Sequence, residues 1–180
     1  MIGWRCCPGC GLAMPAERGD VARGVDASPA CAAVFAEVCG FGLQRHPLDR
    51  FQQLATDTYI AQHGREGDNP RLVHALTGLY LAIEHGRTAS EVLSAQHALG
   101  RPASPPLTRP RTVPTMTVID VAERGLMVNF VIGHAESLYE WADSVWAAWE
   151  PHHADVAAIT REHLGGFITV PQRICFGFRA

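Results

Sequence analysis

Cys7 and Cys10, within the stretch CCPGCG at residues 6–11, stand in C-x-x-C spacing. That spacing lets two thiolates from one loop reach a single ion. Pro8 and Gly9 favour a tight turn between them, and Gly11 permits the positive φ that turns backbone N–H groups toward sulfur. Cys6 is adjacent and points elsewhere. A thioredoxin-like redox pair is the main rival, but it requires a helix that begins within the motif. Gly11 and Pro15 oppose such a helix, so the spacing favours a metal. No second C-x-x-C follows, which excludes a zinc ribbon. Of the remaining cysteines, Cys31 and Cys39 fall on one expected helix, about 12 Å apart along its axis, so both cannot join the same ion. Cys31 lies in the first turn, where the helix N-terminus favours a thiolate. Cys39 is expected to be a small buried hydrophobe, and Cys175 to be incidental.

The fourth ligand is expected to be a histidine, completing the Cys3His set common in structural zinc sites. The chain has nine histidines. His63 closes an expected helix one turn beyond Tyr59, and a helix end is well placed to meet a cysteine loop. Cys7, Cys10, Cys31 and His63 are therefore the predicted zinc ligands. An alternative set takes His63, His74 and one of His152 or His153 from three helices, leaving an open coordination position of the catalytic kind. Asp57 would then be a ligand, a support for a ligand or a general base, with Tyr59 assisting. The plainer expectation for Asp57 is an exposed side chain or a turn cap. His74 and His85 share a face about 16 Å apart and cannot share an ion. His152 and His153 diverge by about 100° on a helix.

Helices are needed to bring these residues together. Ser28-Pro29 reads as N-cap and N1 of a first helix over 29–44, weakened at its end by Gly40 and Gly42. Pro47 opens a second, ending at Gly64. Asn69-Pro70 opens a third, ending at Gly86, with Leu72, Leu76, Leu79 and Ile83 on one face and Tyr80 and Leu81 broadening it; this helix is expected at the centre. TASE at 88–91 is a capping box opening a fourth, which ends at Gly100. RPASPPLTRPRTVPT at 101–115 is an extended connector over the surface. A short helix over 117–124 and a long one over 130–149 follow, and Pro151 either kinks the long helix or starts a further segment to His163. Trp141, Trp146 and Trp149 fit core packing better than a ligand pocket. FITVPQRICFGF at 167–178 has strand-like residues. The expected architecture is mainly α. It comprises a cysteine loop (1–28) of zinc-knuckle type, a helical bundle (29–164) carrying the Pro-rich connector, and a tail (165–180).

Composition narrows the functions. The net charge is −3 and hydrophobic residues make up 47% of the chain, so a core can form and no basic stripe offers itself to nucleic acid. All 15 basic residues are arginine, which excludes Schiff-base lysine chemistry and the Walker lysine. No 18-residue apolar run points to a membrane span, and MIGWRCCPGC has no apolar secretory core. The expected compartment is the cytoplasm, where clustered cysteines serve as ligands more often than as disulfides.

Five pieces in order carry a resemblance: CPGCG (7–11), ASPAC (27–31), DTYIAQH (57–63), VHALTGLYLAIEHG (73–86) and ADSVWAAWEPHH (142–153). With them the chain resembles a bacterial family of uncharacterised proteins, a domain of unknown function. The resemblance implies Cys7, Cys10, Cys31, Asp57, His63, His74 and His152 or His153 as the polar signature. Members carry a histidine where this chain has Gln52, which favours a structural role over a catalytic one. A looser likeness of architecture links it to DinB-type bundles, which bind a divalent ion through three histidines. The expectation is a zinc-binding helical protein whose ion pins the N-terminal loop to the bundle. The runner-up is a metal-dependent enzyme with a three-histidine centre, and a protein partner or a small-molecule substrate is left open.

Overall fold

The computed structural model describes residues 3–21, 23–45, 51–65, 67, 69–101, 107–127 and 132–167. Two short strands, β1 (Trp4–Cys6) and β2 (Ala13–Pro15), precede seven α-helices among the described residues: α1 (Pro29–Arg45), α2 (Gln52–His63), α3 (Pro70–Leu79), α4 (Ala89–Leu99), α5 (Val118–Met127), α6 (Ile132–Ala148) and α7 (His153–Leu164). The strands pair antiparallel, with Trp4 opposite Pro15 and Cys6 opposite Ala13. The cysteine loop is thus the tip of a hairpin. Three-residue strands are too short to show a period of two, so the sequence pattern gave no sign of them.

Local chemistry sets the helix starts. The Ser28 hydroxyl accepts from the Cys31 amide at 3.2 Å, and Asn69 accepts from Leu72 at 3.4 Å ahead of Pro70. Thr88 and Glu91 form the expected capping box. Asp120 accepts from the Thr117 amide at 2.7 Å before α5. Elsewhere the boundaries differ from expectation. Helix α1 runs through Gly40 and Gly42 to Arg45, because glycine weakens a helix without stopping it. Helix α2 begins at Gln52, and Pro47 lies outside the described residues. Helix α3 gives way to a π-helical turn over Tyr80–Glu84, and Gly86 then takes a positive φ of 60°. The strand-like tail beyond Phe167 also lies outside the described residues.

Helix α3 is central. Leu72, Leu76 and Leu79 are fully buried, and α3 packs on α2, α4, α6 and α7. The three tryptophans of α6 and its end are core residues, each with its indole N–H satisfied. Trp141 donates to Gln62 Oε1 at 3.0 Å, Trp146 to Glu84 Oε1 at 3.0 Å and Trp149 to the Ala61 carbonyl at 3.1 Å. Cys7, Met14 and Val25 join the same apolar cluster as the helices. The connector is not purely superficial. Leu107 is buried and its segment bridges to Gly67. Among the described residues no helix is long and apolar enough to cross a membrane.

Candidate metal centre

Three segments far apart in sequence meet beside the hairpin. Cys7 and Cys10 come from its tip, Cys31 from the first turn of α1 and His63 from the last residue of α2. One ligand atom of each lies within 4.8 Å of all the others. Cys10 Sγ is 4.0 Å from Cys31 Sγ, and Cys31 Sγ is 3.3 Å from His63 Nε2. The tip is held by its own backbone: the Cys7 amide donates to the Leu12 carbonyl at 2.7 Å, and the Gly11 amide to the Cys7 carbonyl at 2.8 Å. Gly11 has a φ of 76°, the left-handed geometry its position requires. The backbone N–H on the Cys7 sulfur, however, is not part of this turn. It belongs to Ser28, at 3.3 Å. Ser28 thereby joins two of the clustered cysteines, its amide on Cys7 and its hydroxyl capping the turn that carries Cys31.

His63 is fully buried and oriented from behind. Its Nδ1–H donates to the Tyr59 carbonyl at 2.9 Å, which leaves the Nε2 lone pair facing the sulfurs. The Tyr59 ring lies 4.2 Å from the imidazole and stacks on Phe35 at 4.0 Å. Gly9 passes so close to the imidazole that a Cβ there would stand 2.3 Å from His63 Cδ2 and 2.6 Å from the Asp26 carbonyl oxygen.

The clustered groups perturb one another. Hydrogen bonds from Cys10 and Cys31 hold the Cys7 thiol far below its ordinary range, despite burial. Its bonds to Cys10 and Cys7, with burial added, push Cys31 up. Burial alone would lower His63, but its bonds to Cys10 and Cys7 outweigh this and raise it to about 9. A divalent cation would compete with protons for the same atoms.

Arg109, in the connector, also belongs to the site, although no sequence pattern marked it. Its guanidinium donates to the Pro8 carbonyl at 2.8 Å and to the Gly64 carbonyl at 3.0 Å, and it lies 3.8 Å from Asp26. It therefore ties the hairpin tip to the residue after His63. The Asp26 amide in turn donates to the His63 carbonyl at 2.6 Å. An arginine among prolines carries no period or spacing, so only the folded chain reveals these partners.

The other candidates stand elsewhere. The ring Nε2 of His74 meets the Gly100 carbonyl, that of His152 the Thr108 carbonyl at 3.0 Å and that of His153 the Trp146 carbonyl at 2.9 Å. Among the described residues none of the three joins His63 in a ligand cluster. His152 instead anchors the connector one residue before Arg109. Asp57 is neither exposed nor a turn cap: it is buried, one face of α2 away from the sulfurs and about 9 Å along the axis from His63. Both its oxygens accept from the side-chain amides of Gln53 and Gln96, at 3.0–3.1 Å. Its carboxylate packs where only the glycine at position 78 leaves room. Burial pushes its pKa up to about 7, against the opposing pull of Gln53 and Gln96. The Tyr59 hydroxyl is buried with no hydrogen-bond partner among the described residues. Burial, then the charge on Cys31 and Cys7, raises its pKa. Cys39 is half-buried, and burial pushes its thiol up to about 11.

A family model matches residues 5–150. The chain belongs to DUF5946, a family of unknown function. The matched span of DUF5946 includes all four clustered residues and Arg109, and it ends before His152 and His153. No curated protein and no solved structure matches the chain.

Proposed function

We propose that Cys7, Cys10, Cys31 and His63 hold one zinc ion, and that the ion clamps the N-terminal hairpin and the start of α1 to the end of α2. The observation that carries this reading is the convergence of four ligand atoms within 4.8 Å from three separate segments. Tetrahedral zinc with bond lengths of 2.0–2.3 Å requires ligand atoms about 3.7 Å apart. The 4.0 Å between the Cys10 and Cys31 sulfurs and the 3.3 Å from Cys31 to His63 bracket that value. Three thiolates and an imidazole favour zinc over harder ions such as magnesium or calcium. Four protein ligands complete the shell, which suits a structural rather than a catalytic centre. Clustered cysteines that serve as metal ligands suit a reducing compartment such as the cytoplasm.

Metal analysis of protein purified without chelator tests the reading. One zinc per chain is expected. Cys10→Ser should lose it and melt at lower temperature, whereas His74→Ala should retain it. Protein lacking stoichiometric metal, or a His74→Ala variant that loses the ion while keeping its fold, would sink the proposal.

A further inference from the structure

We propose that Cys10 and Cys31 form a hydroperoxide-sensitive pair, closing to a disulfide that opens the clamp; the opening, though not the disulfide, rests on the metal reading above. The two sulfurs already touch at 4.0 Å and need to approach by about 2 Å to reach disulfide length. Their surroundings differ in a useful way. Cys7 and Cys31 are 1% and 0% exposed, whereas Cys10 is only partly buried. Within the cluster a small oxidant in solution therefore meets Cys10 first; Cys6 is more exposed but lies outside it. Cys10 also sits at the end of the hairpin tip, where side-chain rotation disturbs no helix. The Cys7 backbone is fixed by two hydrogen bonds across the tip and its sulfur by Ser28. Cys31 lies in the first turn of a 17-residue helix, so its backbone is held and the movement comes from Cys10.

The chemistry balances with a hydroperoxide as the oxidant. The Cys10 thiolate attacks the outer peroxide oxygen and the O–O bond breaks. Cys10 becomes a sulfenic acid, and the alkoxide or hydroxide that leaves takes a proton from water. The Cys31 thiolate then attacks the Cys10 sulfur, forming the S–S bond and expelling hydroxide, which is protonated to water. Two sulfurs lose two electrons in total and the peroxide gains them. Cys7 and His63 remain, and two ligands do not hold zinc in a four-coordinate site. The hairpin would lose its metal tie to α2 and keep only the Arg109 bridge there, while Ser28 and the new disulfide link it to α1.

The test treats metal-loaded protein with hydrogen peroxide. Zinc release is followed with a chromogenic indicator, and the disulfides are mapped after the free thiols have been blocked. The expected result is a Cys10–Cys31 cross-linked peptide, lighter by two hydrogens, appearing in step with the released zinc and reversed by a dithiol. Cys6→Ser and Cys39→Ser, which replace thiols outside the cluster, should leave the rate unchanged within about twofold. A disulfide mapped to Cys7–Cys10 or to Cys6 would overturn the pairing, as would zinc release without any disulfide. The same oxidation of chelator-treated protein separates the two ideas. A Cys10–Cys31 disulfide in a chain that never holds metal removes the clamp and keeps the pair. Stoichiometric zinc in a chain that forms no such disulfide keeps the clamp and removes the pair.

Discussion

Gly9 and Asp57 are the residues at which single atoms decide the most. A methyl group on Gly9 would overlap the His63 ring and the Asp26 carbonyl together. Neither can retreat easily, since His63 is bonded to Tyr59 and Asp26 to the backbone of His63. Gly9→Ala should therefore cost about 3 kcal/mol, the upper end for overpacking, and weaken metal retention with it. Gly11→Ala is the control: open space surrounds its missing Cβ, and only the positive φ is strained, at about 1 kcal/mol. Urea unfolding of the metal-loaded variants would compare them. Asp57 carries a pH signature. Its folded pKa is raised to about 7 from 3.8, so the native state binds the extra proton across that interval. The stabilising proton is fully held below 3.8 and is lost as pH rises through 7. Stability should thus fall as pH rises from about 4 to about 7, by up to about 1.4 kcal/mol per pH unit, and level off above that. Asp57→Asn should flatten that slope in denaturant titrations. An unchanged slope would assign the effect to another group.

At the level of elements, the proposed clamp depends on a segment that contributes none of the four clustered residues. The connector is pinned at Thr108 by His152 and reaches the hairpin tip and the end of α2 through Arg109. Replacing this arginine removes two hydrogen bonds to the carbonyls that flank the ligands and leaves the ligands themselves in place. Arg109→Leu should lower zinc affinity about tenfold, as support for ligands commonly does, with little change in helical content. Competition against a chromogenic chelator measures this, and circular dichroism checks the fold. The hairpin itself has a small interface: β2 meets α1, and three-residue strands cannot hold a register unaided. Ser28 compensates by joining hairpin and helix at a single residue.

For the whole molecule, stability is graded from α3 outward. The leucines of α3 are sealed on every side by α2, α4, α6 and α7, so metal removal should leave that centre protected. The four clustered residues instead lie where the N-terminal region meets the bundle. Hydrogen exchange after chelation should quicken over residues 4–15, the start of α1 and the last turn of α2, and stay slow over α3. Equal acceleration everywhere would mean that the centre supports the global fold and not one corner of it.

The sequence by itself determined the helices and their punctuation: Ser28-Pro29, Asn69-Pro70, the Thr88–Glu91 box and the apolar face of α3 act through neighbours within a turn, which a linear pattern records. It also named the four clustered residues, because C-x-x-C spacing, a cysteine in a first helical turn and a histidine at a helix end are local facts. Only the tertiary structure decided how His63 differs from His74, His152 and His153. Three sit on α-helices and His152 just before one, and what separates them is which carbonyl or sulfur the fold sets opposite each ring. The same reason hid Arg109, whose partners lie 101 and 45 residues away, and Asp57, whose charge is governed by burial beneath Gln96 and beside Gly78. Contacts closed by packing leave no spacing to read.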